Sequence, residues 1–138
     1  MISGNGEDGF RSLGATNTLI AGNFVGTNAS GTAAIGNGID GVDLQEGHGN
    51  VIGGSTAGHR NIISGNRAAG IILRVTTATV AGTFDDANRT RIQGNYVGTD
   101  VTGTVAIGNG IDSTSQTGAI KCWQFQRCDR GYRWRRNQ

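Results

Sequence analysis

The chain has 138 residues, of which 25 are glycine and none is proline, and its formal net charge is +2. A chain of this length makes one domain at most, and glycine without proline or a three-residue period excludes a collagen helix. No run approaches the ~20 apolar residues of a membrane span, and residues 1–10 lack the basic and apolar segments of a secretory signal, so we expect no membrane partner.

Short strands with one buried face are predicted along residues 1–112, because apolar residues alternate there between Gly and Asn positions. The strands fall into successive sets of three, and we expect each set to form one circuit of three short parallel strands. Like residues should then stack in successive circuits. Residues 27–38, 55–60, 76–88 and 99–110 are predicted to be loops that leave this body. The three sets are Phe10, Ile20 and Val25; Val42 with Leu44, Ile52 and Ile63; and Ile71 with Leu73, Ile92 and Val97.

A long internal repeat supports the stacking. Residues 22–40 read GNFVGTNASGTAAIGNGID and residues 94–112 read GNYVGTDVTGTVAIGNGID, with fourteen of nineteen positions identical at a constant offset of 72. Repetition of this fidelity is typical of stacked repeat architectures. Asparagines that follow glycine, such as Asn23, Asn66 and Asn95, suit the corners, where their side chains can hydrogen-bond along the stack.

The run NVIGGSTAGHRNIISGN at residues 50–66, together with GNFVGT, GTAAIGNG and IDGVDL, resembles the right-handed parallel β-helix repeats of large bacterial secreted or surface proteins. Those proteins share the pectin-lyase-like fold. For residues 1–112 the resemblance implies an all-β β-solenoid of about three to four coils. It further implies an extracellular or cell-surface location, a structural, adhesive or carbohydrate-contacting role, and neighbouring coils of a longer parent protein as partners.

Residues 113–138 depart from the repeat. The offset predicts glycine, valine and leucine at positions 113, 114 and 116, where Ser113, Thr114 and Gln116 stand. This basic tail holds both cysteines and both tryptophans. We interpret it as a non-repeat, disordered or out-of-frame end, the alternative being a genuine cap on the stack. Because the break in the repeat accounts for its charge, no nucleic-acid partner is expected.

The pattern Gly-Asn-Gly-x-Asp occurs three times and ends at Asp8, Asp40 and Asp112. It overlaps a calcium-binding repeat in which carboxylates and turn carbonyls bind the ion. Calcium is therefore the one candidate cofactor, with these three aspartates as its ligands. The alternative is that an Asp-Gly pair before a strand only forms a turn, since the aspartates lie 32 and 72 residues apart rather than nine.

Hydrolysis of a polysaccharide would need two carboxylates about 5–5.5 Å apart for retention or about 6.5–9.5 Å apart for inversion. Asp40 and Asp112 are expected two circuits apart, about 10 Å at ~4.8 Å per circuit. Asp40 and Asp43 are expected on opposite faces, because they are separated by an odd number of residues. We therefore assign no catalytic residue. The alternative is a fragment of a polysaccharide lyase or glycoside hydrolase, and Arg74 is the one candidate for the base that a lyase needs.

Two outward aromatic residues, Phe24 and Tyr96, occupy equivalent repeat positions about two circuits, or ~10 Å, apart. Such a pair suits contact with the sugar rings of an extracellular polysaccharide. The alternative is that each ring only packs under a neighbouring loop. The two ends of the stack expose unpaired strand edges, so self-association through them is also expected.

Overall fold

The computed structural model describes residues 1–74, 90–111 and 118–123. These residues form ten short strands and one single-turn 3-10 helix, Ala57–His59. The strands are β1 (Phe10–Leu13), β2 (Leu19–Ile20), β3 (Phe24–Val25), β4 (Val42–Gln45), β5 (Val51–Gly53), β6 (Ile62–Ile63), β7 (Ile71–Arg74), β8 (Arg91–Gln93), β9 (Tyr96–Val97) and β10 (Ile120–Trp123).

The strands form three parallel sheets, which the chain visits in turn. One sheet has the order β1-β4-β7-β10, the second β2-β5-β8 and the third β3-β6-β9. From β4 onward, each strand thus lies beside the strand that comes three positions earlier along the chain. For the described residues, the prediction of β-structure with parallel stacked strands is confirmed.

The register places like residues in columns, as the sequence predicts. Ile52 pairs with Ile20 on one side and with Ile92 on the other. Two further columns run through the other sheets: Phe10, Val42 and Ile71 in the first, and Val25, Ile63 and Val97 in the third.

The inward residues of the three sheets form one hydrophobic core. Its most buried members include Val25, Val42, Ile52 and Ile63, each with no measurable exposure. A fully buried aliphatic side chain contributes about 1.5–3 kcal/mol to folding. Because the core residues of neighbouring strands lie in register, this contribution depends on the pairing of the strands.

Asparagine side chains join the circuits at two corners. The first ladder lies before the strands of the four-stranded sheet, and the second before the strands of the third sheet. At each internal step, the backbone N–H and Nδ2 of one asparagine both donate to Oδ1 of the asparagine one circuit later. The first ladder consists of Asn5, Asn37, Asn66 and Asn109, and the second of Asn23, Asn61 and Asn95.

Strand β10 extends the four-stranded sheet into the segment that was interpreted as a non-repeat tail. Ile120 pairs with Ile71, whereas the 72-residue offset would place position 114 there. Thr114 is polar, and Ile120 begins the next apolar stretch, so burial favours the later register. Residues 112–117 and 124–138, with the other predictions for the tail, lie outside the described residues.

The segments predicted to be loops at residues 27–38 and 99–110 each contain a loop that returns to the body. Each closes with an antiparallel bridge, Thr27 to Ala34 in one and Thr99 to Ala106 in the other. The two loops contact each other, since the N–H of Val101 donates to the carbonyl of Gly31 at 2.9 Å. They fold back over the outer side of the third sheet.

Each of these loops is closed by one acceptor side chain. Asn28 Oδ1 accepts the backbone N–H groups of the fourth and fifth residues after it, at 2.9 and 3.2 Å. Asp100 Oδ1 accepts the equivalent pair at 3.1 and 3.2 Å. The hydroxyl of Thr102 also donates to Asp100 and, with the backbone N–H groups, lowers the pKa of this carboxyl below 3.8.

We expect Asp100→Asn to preserve the fold at neutral pH, because Asn28 makes the same contacts in the sister loop. The folded pKa of Asp100 lies below its unfolded value, so its contribution to stability is present above pH 3.8 and is lost as the pH falls through the folded pKa. The variant should therefore lose less stability on acidification. Urea unfolding at neutral and acid pH measures this, and an unchanged acid dependence would contradict it.

Candidate functional site

Six charged side chains gather beside the four-stranded sheet, and we call them the charged cluster. They are supplied by β1, β4, β7 and the turns before β1 and β4. The members are Glu7, Asp8, Arg11, Asp40, Asp43 and Arg74.

Arg74, at the end of β7, joins two carboxylates of the preceding circuit. Its Nη2 donates to Asp40 Oδ2 at 3.0 Å and its Nε to Asp43 Oδ1 at 3.1 Å. The other oxygen of Asp43 accepts Gln45 Nε2 at 2.7 Å. The other oxygen of Asp40 accepts the backbone N–H of Ala69 at 2.7 Å. Both aspartates therefore have all of their oxygens in hydrogen bonds.

Arg11 repeats part of this arrangement one circuit earlier. Its Nε donates to Asp8 Oδ2 at 2.6 Å, and Glu7 lies 3.3 Å from its Nη1. Asp8 Oδ1 accepts the backbone N–H of Asp40 at 2.8 Å. Arg11 Nε is also 3.7 Å from Asp43 Oδ2, so Asp43 lies between the two arginines. The cluster is one continuous network across three circuits.

Burial divides the cluster into an inner and an outer part. The side chains of Asp40 and Asp43 are 4% and 1% exposed, whereas that of Arg74 is 32% exposed. Burial raises the pKa of Asp40 above 3.8, and the carboxylates of Asp8 and Asp43 add to the rise, while the Ala69 N–H and Arg74 oppose it. Asp40 therefore releases its proton at a higher pH than an exposed aspartate does.

The expectation that Asp40 and Asp43 point to opposite faces is wrong, because Arg74 contacts both. The alternation rule applies to a continuous strand, but β4 begins at Val42 and Asp40 belongs to the preceding turn. Arg11 was not among the residues predicted to lie at this site. A usable signal was present: the offset of 32 between Asp8 and Asp40 also relates Arg11 to Asp43, a pair of opposite charges.

The predicted calcium ligands serve another purpose in the described structure. The carboxylates of Asp8 and Asp40 each accept a backbone N–H from the next circuit and a guanidinium N–H. Residues 1–74, 90–111 and 118–123 contain no group of three or more His, Cys, Asp or Glu side chains that could hold a metal ion. Asp112 lies outside the described residues, so calcium binding stays a prediction.

The predicted sugar-contact residues lie on the outer side of the third sheet. Phe24 and Tyr96 both pair with Ile62, one on each side of it, and we call these three residues the aromatic column. Ile62 is 3% exposed, and both rings are half-buried. The guanidinium carbon of Arg60 lies 4.2 Å from the centroid of the Tyr96 ring, within cation–π range.

The two repeated loops cover this column through their glycines. A Cβ added to Gly31 would lie 2.9 Å from the Phe24 ring, and one added to Gly103 would lie 2.8 Å from the Tyr96 ring. Both glycines have positive φ, 67° and 76°. Both rings therefore contact neighbouring loops while staying half-exposed, and sugar contact by Phe24 and Tyr96 stays a prediction.

Gly103→Ala should destabilise the protein by about 1–3 kcal/mol, because alanine is strained at positive φ and its Cβ would overlap the Tyr96 ring. The matched control is Gly58→Ala, since a Cβ there meets nothing within 4 Å and φ is not positive. Chemical denaturation with fluorescence detection compares the two. Equal midpoints for both variants would show that the loop does not press on the ring.

No protein-family model, curated protein or solved structure matches the chain. The resemblance to β-helix repeats therefore stays a prediction from the sequence motifs. Among the described residues, no helix has both the length and the apolar character needed to cross a membrane.

Proposed function

We propose that the chain is part of a right-handed parallel β-helix that serves as a structural or adhesive segment of a larger extracellular or cell-surface protein. One observation supports this most directly: no buried side-chain nitrogen or oxygen of the described residues lacks a hydrogen-bond partner. Those partners lie mainly in adjacent circuits, through the asparagine ladders and the charged cluster. Polar side chains used in this way build a spacer whose circuits contact only their neighbours.

Duplication of the repeat tests the structural role. A second copy of residues 22–93 inserted before Gly94 adds one 72-residue unit, which spans two circuits. At ~4.8 Å per circuit, the rod should lengthen by about 10 Å while unfolding stays cooperative. Small-angle scattering measures the length. A rounder particle, or loss of folding on duplication, would count against a stacked spacer.

Adhesive contact with an extracellular polysaccharide is the second part of the proposal. Its support is the regular placement of Phe24 and Tyr96 on either side of Ile62, with both rings partly exposed. If the natural chain binds a polysaccharide, Tyr96→Leu should abolish that binding. Leu19→Ala, which changes an exposed residue of the second sheet, should leave the binding unchanged. If Tyr96→Leu binds as well as the natural chain, the aromatic column only packs against the loops and does not contact the polysaccharide.

Self-association through the stack ends follows from the direction of the ladders. Asn5 and Asn23 Oδ1 accept no hydrogen bond within the described chain, and the backbone N–H groups of Asn95 and Asn109 donate none there. Acceptors at one end match donors at the other, so copies can add head to tail. Sedimentation should show concentration-dependent oligomers, and a monomer at all concentrations would contradict this.

The alternative is a fragment of a polysaccharide lyase or glycoside hydrolase. One observation favours it: Asp40, with its raised pKa, lies beside Asp43 and Arg74. In that case the chain would release new sugar ends from a polysaccharide, and Asp40→Asn would abolish the release. Binding without release of sugar ends favours the structural role.

A further inference from the structure

The sequence contains three Asn–Gly dipeptides, which begin at Asn5, Asn37 and Asn109. All three asparagines belong to the first ladder. In such a dipeptide the backbone nitrogen of the glycine can attack the side-chain amide carbon of the asparagine, because glycine has no Cβ to obstruct the approach. The three dipeptides have the same sequence, so their rates of this reaction should differ only where the fold holds them differently.

The fold holds two of these dipeptides in hydrogen bonds. Gly38 and Gly110 each donate their N–H at 2.8 Å to the backbone carbonyl of the asparagine one circuit earlier in the ladder. Asn37 and Asn109 each accept two ladder hydrogen bonds at Oδ1. Both reacting groups are thus engaged, so reaction at these sites requires local opening of the stack.

Asn5 and Gly6 lack these restraints. Both residues are exposed. Among the described residues, the N–H of Gly6 donates no hydrogen bond and Oδ1 of Asn5 accepts none. Asn5 donates its N–H and Nδ2 to Asn37 Oδ1, and its backbone carbonyl accepts the N–H of Gly38 at 2.8 Å. None of these contacts engages the attacking nitrogen of Gly6 or Oδ1 of Asn5.

We propose that Asn5 is a site of spontaneous deamidation. The nitrogen of Gly6 forms a bond to Cγ of Asn5, the bond to Nδ2 breaks, and ammonia leaves with the former amide proton of Gly6. Water then opens the resulting succinimide to aspartate or isoaspartate, so one amide and one water give one carboxyl group and one ammonia. The product lacks the Nδ2 donor that bonds Asn37 at 2.9 Å, and the first rung of the ladder is weakened selectively.

The test is peptide mapping by mass spectrometry after incubation of the full chain at mildly alkaline pH. In the folded chain, Asn5 should deamidate at least about tenfold faster than Asn37 or Asn109, whose reaction needs local opening. In denaturant the three rates should agree within about twofold, because the dipeptides are the same and the stack is lost. Comparable folded-state rates at all three sites would overturn the proposal, as would rates that still differ in denaturant.

Gly6→Ala provides the matched variant. A Cβ at this position meets nothing within 4 Å and φ is not positive, so folding should be unaffected. At Gly38 an added Cβ would lie 2.1 Å from the carbonyl oxygen of Gly6, so that position cannot serve as the control. Gly6→Ala should slow deamidation of Asn5 about tenfold or more by obstructing the attack. An unchanged rate in this variant would also overturn the proposal.

Discussion

Asn66→Ala is expected to lower the free energy of unfolding by about 3–5 kcal/mol, because it breaks the first ladder at an internal rung. Asn66 is fully buried. Its Oδ1 accepts the N–H and Nδ2 of Asn37, and its own Nδ2 donates to Asn109. Alanine leaves those partners without their hydrogen bonds inside the stack, and each unpaired buried group costs about 1–3 kcal/mol.

Asn5→Ala is the matched control for this variant. Asn5 is the exposed first rung, and its side chain makes one ladder contact, the hydrogen bond to Asn37 at 2.9 Å. Its loss should cost about 0.5–1.5 kcal/mol. Urea unfolding at equilibrium measures both variants. Equal costs for Asn66→Ala and Asn5→Ala would mean that the ladder adds no more stability inside the stack than at its end.

The columns of the core could be predicted from the sequence because two patterns agree. The alternation of apolar residues identifies which side chains point inward, and the offset of 72 aligns Ile20 with Ile92. Ile52, which lies between them, follows from the same alternation. A one-residue slip would turn these apolar side chains from the core to the solvent, so burial fixes the register of the strands whatever the conformation of the turns.

The charged cluster could not be predicted in the same way, because it depends on where a strand begins. Asp40 lies two residues before β4, and the turn rather than the strand alternation directs its side chain toward Arg74. The ladders show the same limit. Asn66 shares the Ile-x-Gly-Asn pattern with Asn23 and Asn95, yet it occupies the other corner. Local sequence identifies a corner residue but not which corner it occupies.

Arg74→Met should destabilise the protein by about 3–5 kcal/mol at neutral pH, because it leaves two buried carboxylates without their guanidinium partner. The side chains of Asp40 and Asp43 are 4% and 1% exposed in the natural chain, and methionine at position 74 offers no hydrogen-bond donor to replace the guanidinium. Methionine retains much of the volume of the aliphatic stem, which separates the loss of charge from the loss of packing. Arg91→Met removes the same charge from an exposed strand position and is the control.

The pH dependence of Arg74→Met distinguishes a charge effect from a packing effect. The folded pKa of Asp40 already lies above 3.8, and Arg74 is one of the groups that oppose the rise. Without Arg74 the pKa should rise further. Between the unfolded and folded pKa values the native state binds more protons, so stability falls as the pH rises through that window. The cost of Arg74→Met should therefore shrink on acidification, whereas a cost that is independent of pH would show that the arginine acts by packing alone.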